Sequence, residues 1–187
     1  SIEIGVDPGS SISALPNPFA HKIVFLGCSI THGSAASRAG MSYVARYGRD
    51  NGLYCLNLGF SGQAKLQEYW ARVAADIDAD AFVFDQFSNP SAKVINESFD
   101  SFVDIIREAH PETPLIFLQT IRRERRNFNE EADAYEAAKQ KAGEAKVRAR
   151  MKTDKNIYFF PSAGGRGEDS RGTADGTQAR ALGFSRM

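Results

Sequence analysis

The sequence predicts an α/β sandwich, one parallel sheet with helices on both faces. Short apolar runs alternate with longer amphipathic segments along the whole chain. The runs are nearly unbroken, as in Leu115-Ile116-Phe117-Leu118, which suits strands buried on both faces. The segments between them are long enough to be the crossover helices that parallel pairing needs. A length of 187 residues suits one domain with a sizeable core.

The elements follow in order. Residues 1–21 are rich in proline, glycine and serine and show little periodicity, so they read as an irregular lead-in on the surface. Strands are predicted at 22–27, 54–58, 81–85, 115–119 and 156–160. Helices are predicted near 39–51, 65–77, 93–109 and 129–152. The last of these carries Glu130, Glu131 and Asp133 early and Lys146, Arg148, Arg150 and Lys152 late, an order that complements the helix dipole. Its charge and alanine content predict a solvated outer helix. The basic run Arg122-Arg123-Glu124-Arg125-Arg126 reads as a solvated loop, with an anion-binding loop as the alternative. No internal repeat or low-complexity tract interrupts the pattern.

Composition excludes several classes of function. Mean hydropathy is −0.36, and no apolar run approaches the ~20 residues of a membrane span. A net charge of zero argues against nucleic acid as the main partner. No charged segment followed by an apolar stretch opens the chain at Ser1, so it reads as a processed or excised product. Cys28 and Cys55 are too few for a disulfide framework and read as buried free thiols. No Cys/His cluster has zinc spacing, and no glycine-rich phosphate loop carries a lysine. Neither a metal nor a cofactor is expected.

The chemistry points to Gly27-Cys28-Ser29-Ile30-Thr31. A buried strand that ends in a small-residue turn and opens a helix presents a serine at the carboxyl edge of the sheet, where open α/β sheets bind ligands. Ser29 is therefore a candidate nucleophile; the alternative is that it only caps the helix. Gly59-Phe60-Ser61-Gly62-Gln63 follows the second strand, and Asp85-Gln86-Phe87-Ser88-Asn89-Pro90 follows the third. Asp175-Gly176-Thr177-Gln178 and Leu182-Gly183-Phe184 come after the fifth. Acyl transfer needs a nucleophile, a base, a group to orient that base, and donors for an oxyanion. The N–H groups of Ser29 and Gly62 and the amide of Asn89 can serve as donors. Glycine suits a close approach to substrate, and asparagine donates without changing charge.

These four blocks, in this order, resemble the SGNH (GDSL-like) hydrolases, in the subgroup with a Gly-x-Ser-Ile-Thr nucleophile block. Cys28 stands where many members carry Asp or Thr. The resemblance covers about residues 22–187. It implies a flavodoxin-like α/β/α sandwich with five parallel strands, to be expected in spatial order 2-1-3-4-5. It also implies Ser29 as nucleophile, Ser29, Gly62 and Asn89 as the oxyanion site, and Asp175 as the residue that orients the base. Residues 1–21 resemble the linker from an N-terminal domain in two-domain members.

The pattern breaks in two places. The family histidine falls on Gln178, followed by Ala179 in place of proline. A glutamine amide neither titrates near neutral pH nor takes the serine proton. His32, three residues after Ser29, is the alternative base; the other reading makes it a polar residue on the rim. His21 and His110 are expected at the opposite edge. The chain also ends at Met187, where the family's closing helix would begin, so a second domain or subunit is expected over the edge formed by Leu182 and Phe184. The resemblance thus implies a serine ester hydrolase acting on a small acyl ester or acetylated carbohydrate, secreted or periplasmic if anything. The alternatives are an inactive relative that binds such a ligand, an interaction domain, or a flavodoxin-like cofactor binder using the hydroxyls of residues 29–34.

Overall fold

The computed structural model describes residues 3–121 and 123–161. Five parallel strands form one sheet: β1 (Lys22–Gly27), β2 (Tyr54–Gly59), β3 (Ala81–Asp85), β4 (Leu115–Leu118) and β5 (Ile157–Phe160). Their spatial order is β2-β1-β3-β4-β5, as the sequence predicts. Between them lie α1 (Ser29–His32), α2 (Tyr43–Asn51), α3 (Glu68–Ala75), α4 (Ala92–Ala109) and α5 (Glu130–Arg150). Gly27 pairs in register with Gly59 on one side and Asp85 on the other, so three strands end together at one edge. No helix among the described residues is long and apolar enough to cross a membrane.

Alternation along the strands divides the core. Val24, Leu26, Phe82, Phe84, Leu115 and Phe117 face α3, α4 and α5. Phe25 and Val83 face the opposite side with Ile30, Tyr43 and Val44. Helix α4 buries Ile95, Phe99, Phe102, Val103 and Ile106, a 3.6-residue stripe. Phe102 meets Phe84 edge-on at 5.5 Å, and Phe84 stacks on Phe117 at 4.9 Å. Ser91 caps α4 by accepting from the Val94 N–H at 3.3 Å.

Four segments differ from the sequence expectation. The helix expected from residue 39 starts at Tyr43, because Ser42 caps it and residues 39–41 form a separate 3-10 turn. Helix α3 starts at Glu68, because Leu66 takes a left-handed conformation (φ 58) that no helix propagates through. The third difference is in α5, which is not simply a solvated helix: Glu136 and Lys139 are fully buried on its inner face. The basic run before it is not simply a solvated loop either, since Arg123 is buried against Glu136 and a 3-10 turn spans Glu124–Phe128. Both corrections have one cause. The buried charges are opposite in sign and bond to one another, which is the condition under which charge leaves water.

The close seating of α1 on β2 positions everything at the carboxyl edge. A Cβ added to Gly59 would lie 2.1 Å from the His32 nitrogen and 2.6 Å from the Thr31 carbonyl carbon. Asn57 secures the contact by donating to the Thr31 carbonyl at 2.8 Å while accepting from the Gly59 N–H at 2.9 Å. Gly59→Ala must therefore push α1 off the sheet, since backbone atoms cannot rotate away. Urea unfolding should show a loss of at least about 1–3 kcal/mol, the cost of overpacking. An unchanged midpoint would mean that α1 is not tightly seated.

Candidate active site

The turn after β1 is built on Cys28. Its backbone is extended (φ −89, ψ −160), and its Sγ accepts from the Ile30 N–H at 3.3 Å. Cys28 is thus the cap of α1 and Ser29 its first residue, which removes capping as the role of Ser29. Gly33 closes the turn in a left-handed conformation, and the Ser34 hydroxyl donates to the Ser29 carbonyl at 3.1 Å. Ser29 is held in a defined frame and is buried but not sealed, at 7% exposure.

Asp85 lies under this turn, at the end of β3, and is buried. Its Oδ2 accepts from Cys28 Sγ and Thr31 Oγ1, each at 3.0 Å, and its Oδ1 from Ser88 Oγ at 2.9 Å. Thr31 Oγ1 also meets the Tyr43 hydroxyl at 3.0 Å, and Ser88 Oγ meets Thr120 Oγ1 at 3.0 Å. Burial raises the Asp85 carboxyl above the usual carboxylate value; bonds from Cys28, Ser88 and Thr31, then the charge of Arg123, oppose the rise. The effect is reciprocal. Burial first, and the Asp85 charge second, push the Cys28 thiol up to about 12.

The loop after β3 is held from below. The Ser88 carbonyl accepts from Arg123 Nη2 at 2.8 Å and Lys139 Nζ at 3.0 Å. Glu136 pairs with both cations, its Oε1 3.0 Å from Arg123 and its Oε2 2.9 Å from Lys139. Asp85 and Glu136 balance Arg123 and Lys139, so the buried set is neutral. The next residue, Asn89, is part-exposed and makes no side-chain hydrogen bond among the described residues; its Oδ1 is buried without a partner. The unpartnered atom is the acceptor, so any donation to a ligand falls to Nδ2.

The loop after β2 carries Gly62, left-handed at φ 73 with open space where a Cβ would point. The Phe60 N–H donates to the Gly27 carbonyl at 2.9 Å, and the Leu66 N–H to Gln86 Oε1 at 3.2 Å. The loop is thereby tied to the turns after both β1 and β3. Ser29, Gly62 and Asn89 all lie in turns leaving the same ends of three adjacent strands. His32 is exposed at the end of α1. His21 and His110 sit at the other edge, one 3.7 Å from Asp80 and the other bonded to the Ala75 carbonyl at 3.1 Å. Asp175, Gln178, Leu182 and Phe184 lie outside the described residues.

The sequence places the Asp85–Pro90 segment at this edge, but it does not single out Asp85 as the buried anchor, nor Arg123, Glu136 and Lys139 as its supports. An acid closing the apolar run Ala81-Phe82-Val83-Phe84 was the available signal for Asp85. Glu136 and Lys139 gave none, because an i,i+3 charge pair reads the same on a solvated helix.

Two outcomes check this geometry. In native protein near pH 8, Ellman's reagent should titrate the part-buried Cys55 and leave Cys28 untouched, both thiols reacting only after denaturation. Fast reaction of Cys28 would contradict its burial. Lys139→Met should lower unfolding stability by about 3–5 kcal/mol, since it breaks a buried ionic set. Exposed Lys141→Met, on the same helix, should change it by less than about 0.5 kcal/mol. Equal effects would contradict the buried placement.

The GDSL-like lipase/acylhydrolase family model matches residues 20–187. Among solved structures, a GDSL-like lipase from Bacteroides ovatus is 44% identical, with a TM-score of 0.88, covering 92% of this chain and 51% of that one. The salicylyl-acyltransferase SsfX3 of a tetracycline biosynthetic pathway is 22% identical, with a TM-score of 0.73 over 89% of this chain and 51% of its own. A family two carbohydrate esterase from Clostridium thermocellum, in complex with cellohexaose, is 13% identical, with a TM-score of 0.68 over 94% of this chain and 63% of its own. The chain thus spans about half the length of the first two. No curated protein matches at a significant level.

Proposed function

Because the chain belongs to the GDSL-like lipase/acylhydrolase family, we propose that its carboxyl edge is an acyl-ester site with Ser29 as the nucleophile. The observation that carries this reading is the arrival of Ser29, Gly62 and Asn89 at the ends of three adjacent strands. In the reaction, Ser29 Oγ adds to the ester carbonyl carbon and the carbonyl π pair moves to oxygen. The N–H groups of Ser29 and Gly62 and the Asn89 amide receive that oxyanion. Collapse expels the alkoxide, which takes up the proton lost by Ser29, and water then hydrolyses the acyl-serine.

Proton transfer is the weak step. Gln178 falls at the family's histidine position in the sequence, three residues after Asp175, and takes no proton, so the proton of Ser29 reaches the departing alkoxide by way of water. Loss of a triad histidine costs on the order of 10⁶ in turnover, while an oxyanion hole and substrate binding retain about 10³–10⁴ over water. The chain is therefore read as a slow esterase that keeps its ligand site, which grades into a binding protein. The proposed substrate is an acetylated carbohydrate; the carbohydrate esterases among the structural neighbours support it. His32 as a replacement base is the second reading, favoured by its place one helical turn from Ser29.

A fluorophosphonate should label Ser29, as mapped by peptide mass, and Ser29→Ala should abolish labelling. Gln178→His should raise p-nitrophenyl acetate hydrolysis by several orders of magnitude and introduce a pH limb near about 6.5, the imidazole value. Both gains should vanish with Ser29→Ala. A wild-type protein that is already fast, and is silenced by His32→Ala, would transfer the base to His32. No labelling, together with no gain from Gln178→His, would remove the hydrolase reading altogether.

A further inference from the structure

The β2–α3 loop carries an aromatic surface that the acyl-transfer chemistry does not use. Phe60, the first residue beyond β2, stacks on Trp70 with ring centroids 4.6 Å apart and planes 24° from parallel. Trp70 is part-buried against the main core and so backs the stack rigidly. Phe60 remains 41% exposed, and Tyr69, tilted on Trp70 at 5.3 Å, is 50% exposed. The Tyr69 hydroxyl donates to Gln63 Oε1 at 3.4 Å. Ser61, Gln63 and Lys65, on the same loop, are exposed.

This surface is attached to the site rather than lying at random on the domain. The Phe60 N–H holds the Gly27 carbonyl, immediately before Cys28 and Ser29. Gly62 lies two residues further along the same loop. The loop's conformation is also fixed at a cost. Leu66, a fully buried non-glycine residue, sits in the left-handed region at φ 58 and is held there by Gln86. Strain of this kind persists where the surroundings over-determine it, and it gathers at ligand sites.

We propose that the Phe60–Trp70 stack is the floor of a subsite for a pyranose ring of the ester's alcohol. The proposal rests on the acyl-ester reading above and deepens it. The aromatic face is electron-rich and meets the C–H face of a flat sugar, as it does other weakly positive hydrogens. A pyranose bears hydroxyls around its rim, and the exposed Ser61, Gln63 and Lys65 of the same loop, with Tyr69, offer hydroxyl, amide and ammonium groups as matching donors and acceptors. A flat aromatic acyl group would use the face but leave most of that polar rim without partners.

Trp70 is the only tryptophan of the chain, so the subsite carries its own probe. The full chain is titrated with xylotetraose, cellotetraose and their acetylated forms, followed by tryptophan emission and by calorimetry. A saturable emission change with at least one saccharide is expected. Phe60→Ala should weaken binding about tenfold, in keeping with the loss of one stacked ring, and Phe60→Tyr should restore it. Circular dichroism confirms that each variant is folded. No saturable change with any saccharide overturns the proposal, as does equal binding by Phe60→Ala. Saturation by salicylate without any by saccharides overturns it in favour of an aromatic acyl group. Because binding is read without turnover, it can succeed where Ser29 fails to label, and fail where Ser29 labels well.

Discussion

One buried carboxylate organises the carboxyl edge of this sheet. Asp85 accepts hydrogen bonds from Cys28, Thr31 and Ser88, so a single group reaches the turn after β1 and the loop after β3. Hydrogen bonds to an ionised group are stronger than neutral ones, and burial strengthens them further. The same burial makes an unpaired carboxylate costly, so each donor around Asp85 is under constraint. The relative placement of Ser29 and Asn89 follows from this shared anchor.

A second layer supports the first. Arg123 and Lys139 converge on the Ser88 carbonyl from the 3-10 segment and from α5, with Glu136 between them. Charges this deep hold their geometry only when fully paired, and removing one partner penalises the rest. The core below is aromatic and closely packed, with Phe87 stacked toward Phe117 at 6.0 Å under the Asn89 loop. A position on the surface of a crowded parallel sheet is thereby fixed from three directions.

Much of the architecture is legible in the sequence, for a physical reason. Strands such as Leu115–Leu118 are apolar throughout because both faces are covered, and they stand out against amphipathic helices. Their ends, and therefore the edge where Ser29, Gly62 and Asn89 lie, follow from the same pattern. Less legible were the starts of α2 and α3, which depend on Ser42 as a cap and on the left-handed Leu66. The interior charges were hidden because residue type alone does not reveal burial: Glu136 and Lys139 have the spacing of an ordinary surface pair. The same limit applies to Ser29, whose cap proved to be the neighbouring thiol. Asp175 and Gln178 were identified by motif alone, and they lie outside the described residues.

The thiol of Cys28 carries a consequence for what residue 28 can be. It performs two tasks at once, accepting from the Ile30 N–H and donating to Asp85. A neutral group with a hydrogen to give, such as threonine, can do both. An aspartate there would set two carboxylates about 3 Å apart in a dry interior, where both cannot be ionised together. One would have to keep a proton, or the turn would have to open and carry Ser29 with it. Positions 28 and 85 are therefore a matched pair: an acid at 28 leaves the turn and its ionisation undisturbed only if residue 85 changes with it.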